Sequence, residues 1–137
     1  MGTRSTIAIQ NADGTVTGIY CHWDGYLSHN GDILQKFYTT EEKVRALIAL
    51  GDLSSLGEQI GSKHDFNNAP DGECNAYGRD RGEKYCDART EHNWRQYRAE
   101  YGQGYDYLFT PGAGWQVSTD NGIYNLATAL ETETATD

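Results

Sequence analysis

Alternation constrains this chain first. Ile7 and Ile9 point one way, and Thr6, Ala8 and Gln10 point the other. After Asn11-Ala12-Asp13-Gly14 the alternation resumes over residues 15–23, with Thr17, Ile19, Cys21 and Trp23 set against Val16, Tyr20 and His22. A period of two is that of a strand, and the Asn/Asp/Gly cluster between the runs supplies turn chemistry, so the N-terminus predicts a β-hairpin. Residues 105–109 and 115–118 form a second such pair around Pro111-Gly112-Ala113-Gly114. An isolated two-stranded hairpin is marginal in water. The two are therefore expected to join one antiparallel sheet, whose apolar face needs a cover of helices.

The segments between the hairpins carry that cover. Ile33, Leu34, Phe37 and Tyr38 fall at helical spacing after Asn30-Gly31. Thr39 with Glu42 matches a capping box, ahead of an apolar face made by Val44, Leu47, Ile48 and Leu50, and Gly51 suits the C′ position. Residues 52–57 read as a capped turn that pins Leu53 and Leu56 to the core. Residues 61–82 are polar and rich in Gly, Asn and Asp, the longest irregular stretch, with room for a short strand over 74–77. Thr90 is placed to cap a third helix, with Trp94, Tyr97 and Tyr101 on one face and Gly102 at its end. Hairpin, two helices, loop, helix, hairpin is an α+β order rather than an alternating one. The expectation is one domain over 1–130, an antiparallel sheet from two hairpins covered on one face by about three short helices. Residues 131–137 lack apolar periodicity and are expected to be a disordered acidic tail.

Charge narrows the partners. The 137 residues carry a formal net charge of −9. Binding to nucleic-acid phosphate needs a basic surface, so no direct nucleic-acid binding is expected, and anionic membrane surfaces are disfavoured alike. An acidic chain suits a basic protein partner. The start has no apolar run and no stretch approaches spanning length, which points to a cytoplasmic protein. Three cysteines, Cys21, Cys74 and Cys86, are an odd number and read as reduced thiols.

The richest chemistry lies in Tyr20-Cys21-His22-Trp23-Asp24-Gly25-Tyr26, where aromatics for stacking adjoin polar groups. Gly78-Arg79-Asp80-Arg81-Gly82 adds two guanidinium forks suited to phosphate or carboxylate. The candidate ligand-binding residues are His22, Trp23, Asp24, Tyr26, Tyr77, Arg79 and Arg81. Cys21, His22, Cys74, Cys86 and His92 lack the close pairing of a zinc site, so no metal or other cofactor is expected. A Cys21 nucleophile would need His64 or His92 as base, because neighbouring strand residues point to opposite faces.

Three stretches carry a resemblance: Thr3-Arg4-Ser5-Thr6-Ile7-Ala8, Tyr20 through Tyr26 with Leu27, and Leu50-Gly51-Asp52-Leu53-Ser54-Ser55-Leu56. Together they resemble a group of small accessory proteins of tailed bacteriophages and bacterial mobile elements. The likeness extends loosely to Tyr77-Gly78-Arg79-Asp80 and the second hairpin. It implies a phage origin, a bacterial host cell and an accessory role. Combined with the charge, it favours a counter-defence inhibitor that docks on a basic host protein. The alternatives are a small-ligand, nucleotide-like binder using aromatic and Arg residues, and an enzyme with a Cys/His site.

Overall fold

The computed structural model describes residues 3–136. Its chain runs β1 (Ser5–Gln10), β2 (Val16–Cys21), α1 (Asp32–Phe37, entered through a π turn over Leu27–Gly31), α2 (Glu41–Ile48), β3 (Leu53–Ser55), β4 (Asn75–Ala76), α3 (Tyr77–Arg81), β5 (Arg89–Glu91), α4 (Trp94–Tyr101), β6 (Tyr105–Thr110), β7 (Gly114–Thr119), β8 (Gly122–Asn125) and α5 (Leu126–Thr136). Among the described residues, eight strands share one sheet in the order β4-β3-β2-β1-β6-β7-β8, with β5 also on β2. The protein is therefore α+β. No helix among the described residues is long and apolar enough to cross a membrane.

Both expected hairpins are present, and they meet in one sheet. They meet in parallel, however: β1 pairs β6 with Thr6 opposite Asp106 and Ile9 opposite Phe109. β2 and β3 also pair in parallel, at Cys21 and Leu53. The sheet is mixed, not antiparallel. Short turns join only antiparallel neighbours; here the chain returns to β1 after a long excursion, so no hairpin geometry sets the direction of β6.

The helices are not on one face. Ile7, Ile9, Ile19, Tyr107, Phe109, Trp115 and Val117 make a core with Leu34 of α1, Val44, Leu47 and Ile48 of α2, and Leu126 of α5. Ala8, Val16 and Leu108 point the other way and pack against Tyr97, Trp94 and Tyr101 of α4. Gly18, opposite Ala8 in the ladder, explains the second core. A Cβ there would lie 2.5 Å from the Tyr97 hydroxyl and 2.8 Å from the Ala8 methyl. Two small residues side by side leave a slot, and the Tyr97 ring fills it.

Local chemistry moves two expected caps. Thr40, not Thr39, caps α2, accepting from Lys43 N–H at 3.2 Å. Asn93 caps α4, accepting from Gln96 N–H at 2.9 Å, while Thr90 sits in β5 and hydrogen-bonds Thr17. The turn predicted over 52–57 contains β3. Residues 131–136, expected as part of a tail, belong to α5, and Asp137 lies outside the described residues.

The polar stretch 61–82 is more ordered than its composition suggests, and its last residues form α3. His64 holds it. Its Nδ1 faces the Ser62 carbonyl at 2.9 Å, and its Nε2 faces Asn75 Oδ1 at 2.9 Å and Asp80 Oδ2 at 3.4 Å. The Asn75 amide N–H donates to the Phe66 carbonyl, which fixes its oxygen towards the imidazole. Both ring nitrogens thus meet acceptors and the protonated ring is favoured. The Asn75 hydrogen bond is the largest cause of a pKa raised above the ordinary 6.5. A raised folded-state pKa stabilises fully below the unfolded value and is lost as pH climbs through the folded one. Amides over 62–75 should therefore be better protected from hydrogen exchange at about pH 5.5 than at about pH 8, after correction for intrinsic rates. A His64→Gln variant should lose that difference.

Candidate functional site

The face of the sheet under α4 carries two adjoining cavities. One, of about 320 Å³, is lined by Tyr77 and Arg81 of α3 and by Lys84, Tyr85 and Cys86 of the following loop. The other, of about 420 Å³, is lined by Arg89, Tyr97, Glu100, Tyr101 and Gln103. Tyr20 and Asp52 belong to both walls, so the two are lobes of one groove.

Each wall residue is held by the fold. Asp52 follows the left-handed Gly51, whose φ of 78° a side chain would strain. Its carboxylate accepts the Tyr20 backbone N–H at 2.9 Å and a bidentate pair from Arg89, both bonds 2.7 Å. That hydrogen bonding is the main reason the Arg89 pKa lies above its ordinary value. Arg89 also lies 5.5 Å from the centre of the Tyr101 ring. In the first lobe, the Arg81 guanidinium stacks on Phe66 and Tyr77, at 4.4 and 4.9 Å from their ring centres, and bonds Glu83. Lys84 has no ion-pair partner among the described residues.

Two features of the groove are costly to the fold. The Tyr97 side chain is wholly buried, yet its hydroxyl has no hydrogen-bond partner among the described residues. Burial pushes its pKa well above that of an ordinary phenol, so it is a neutral donor at any physiological pH. At the mouth of the first lobe, Tyr85 has a left-handed φ of 64° while 96% exposed. An aromatic residue with positive φ is rare, and such strain clusters at functional positions.

Of the residues singled out from sequence, Tyr77 and Arg81 line the groove. His22 stands one bond away, its Nδ1 2.8 Å from the Tyr20 hydroxyl. Trp23 packs edge-on against His22 at 4.7 Å and is 43% exposed. Asp24 takes a left-handed turn and Tyr26 sets its ring edge-to-face with His29; neither lines a lobe. Arg79 is committed elsewhere, donating to the Ile60 and Cys74 carbonyls and to Asp80. Asp52, Lys84, Tyr85 and Arg89 escape the sequence reading, because only the folded chain brings them together.

The thiols give a cysteine nucleophile little support. Cys21 is buried against Asn30, and burial pushes it up to about 12. Burial also raises Cys74. Cys86 is partly exposed, and desolvation and then the Asp52, Asp87 and Glu83 carboxylates raise it. No thiol is hydrogen-bonded to a histidine among the described residues. No group of three or more His, Cys, Asp or Glu among them is arranged to hold a metal ion. No protein-family model, curated protein or solved structure matches this chain significantly.

Proposed function

We propose that this protein is a phage-type accessory binding protein that takes a small ligand, a planar ring bearing an anionic group, in the two-lobed groove. The observation that carries this reading is the gathering of Arg81, Lys84 and Arg89 with five tyrosines around one concavity, on a chain whose net charge is −9. Tyrosine faces stack planar rings, and guanidinium and ammonium groups hold phosphate or carboxylate. Strained Tyr85 stands over the opening as a further stacking surface.

Naphthyl phosphate is a suitable probe, having only the ring and the anion. Cys86 lines the first lobe while Cys21 and Cys74 are buried, so thiol-reagent modification of Cys86 reports occupancy. The probe should slow that modification and, at about a hundred times its Kd, stabilise the fold by about 2.7 kcal/mol. Tyr85→Gly should weaken binding and yet stabilise the free protein by about 1 kcal/mol, as left-handed strain is relieved. Neither protection nor stabilisation by any planar anion would refute the reading.

The net charge favours a second reading, an inhibitor docked on a basic host protein. Glu41 and Glu42, both exposed at the start of α2, belong to such a surface. Association of that kind weakens steeply with salt. Low-salt capture from a bacterial lysate that yields no specific, salt-sensitive partner would remove its support.

A further inference from the structure

The sheet ends differently on its two sides. At one end β4 is two buried residues. Its Ala76 N–H donates to Asp80 Oδ2 at 2.8 Å, and Asn75 is bonded to His64 and to the Phe66 carbonyl, so the polar stretch covers that edge. β5, which pairs β2 off the main order, carries the charges of Arg89 and Glu91. At the other end β8 pairs β7 on one side and no strand on the other among the described residues. Unpaired N–H and C=O groups along an edge are a template for another chain, and proteins blunt such edges with charge, proline or a covering segment. β8 has none of these. Its residues are Gly122-Ile123-Tyr124-Asn125, and none is buried.

Apolar side chains flank this edge on both faces of the sheet. Ile123 stands opposite Ser118, whose hydroxyl accepts from Trp94 Nε1 of α4 at 3.2 Å, so it lies on the α4 face, and it is 54% exposed. Tyr124 stands opposite Val117 on the other face and is 43% exposed. Its hydroxyl donates to the Asn121 carbonyl at 2.8 Å, which holds the ring beside a cavity of about 470 Å³ shared with Leu27, Tyr105 and Ala129. No residue lining that cavity is charged. We propose that a second copy of this chain pairs here, β8 against β8 in antiparallel about a two-fold axis, joining two sheets into one. Two identical edges paired in this way are self-complementary. Charge selects the partner. Each copy carries a net −9, so two copies repel over most of their surface and meet most favourably where strand and cavity are uncharged. A basic protein would instead seek carboxylates, and β8 has none. The contact is independent of the groove, which shares no residue with β8 or with this cavity.

The test is sedimentation equilibrium of the full chain. At about 0.5 mM protein, a dimer with a Kd of about 0.1 mM leaves most chains paired. Pairing should tighten severalfold between about 0.05 and 0.5 M sodium chloride, because salt screens the repulsion between like-charged copies and leaves the apolar contact intact. Docking on a basic partner has the opposite salt dependence. Ile123→Lys places a charge on the edge at an exposed position, and should leave the chain folded and monomeric. It also lowers the net negative charge, so the loss of pairing cannot come from added repulsion. Amide exchange across residues 122–125 of the parent should slow as protein concentration rises, which reads the same contact without a variant. A chain that stays monomeric at that concentration in both salts, a dimer that loosens as salt rises, or a dimer that survives Ile123→Lys would overturn the proposal. Dimerisation and naphthyl phosphate binding are read separately, so the failure of either leaves the other standing.

Discussion

Replacing Asp80 by Ala should destabilise the protein by about 3–5 kcal/mol, the range for removing one partner of a buried ion pair. The Asp80 side chain is fully buried. Its carboxylate accepts from Arg79 Nε at 2.9 Å, Arg79 Nη2 at 3.1 Å, Ala76 N–H at 2.8 Å and His64 N–H at 3.2 Å. Removing it takes the acceptor from Arg79 Nε, Ala76 N–H and His64 N–H at once, where β4, α3 and the long polar stretch meet, and leaves Arg79 Nη2 only the Cys74 carbonyl. Burial by itself raises the Asp80 pKa, but the bonds from Arg79, Ala76 and His64 outweigh it and the net direction is down. A lowered folded-state pKa gives stability that is present above the unfolded carboxylate value and is lost as pH falls through the folded one. Urea denaturation should thus show the loss for Asp80→Ala at neutral pH and a shrinking gap to the parent in acid. A neutral-pH midpoint equal to the parent's would mean that the Arg79–Asp80–His64 network does not hold the loop.

Leu47→Ala should destabilise by about 2–5 kcal/mol, the transfer loss plus the cavity left behind. Leu47 is fully buried, on the face of α2 that packs against β1 and β2, in the core with Ile7, Ile9 and Ile19. Exposed Glu42 on the same helix is the control, and its replacement by Gln should stay within about 0.5 kcal/mol. Thermal or urea unfolding of the pair checks both. A Leu47→Ala variant as stable as the parent would place α2 off the sheet.

Much of the fold is legible locally. The Ile7/Ile9 and Ile19/Cys21 alternation, the turn residues 11–14 and the spacing of Val44, Leu47 and Ile48 predict elements that the structure contains, because their signals lie within one turn or one hairpin. The short strand near residue 75 is legible for the same reason. What misled was symmetry of role. Trp94 and Tyr97 share an apolar helix face just as Val44 and Leu47 do, so both helices read as cover for one side of the sheet. Periodicity shows that a face is buried, not against which surface.

The candidate site was less legible. Tyr77 and Arg81 stand out by type, but Asp52 reads only as a turn residue, and its partner Arg89 lies 37 positions away. Arg79 and Arg81 look equivalent in sequence. Tertiary contacts divide them, since Arg79 finds two backbone carbonyls and a buried carboxylate while Arg81 finds two aromatic faces and the groove.

By itself the sequence determined where the two hairpins and the helices α1, α2 and α4 form, that an α+β fold results, and that the chain is acidic, because periodicity, turn chemistry and charge are local or additive properties. The tertiary structure alone decided that β1 and β6 run parallel, that α4 covers the face opposite α2, and that three cations and five tyrosines converge on one groove. Those outcomes depend on contacts between residues far apart in the chain. The smallest of them is the missing Cβ of Gly18, which opens the slot for Tyr97 and so brings α4 down beside Tyr20 and Asp52.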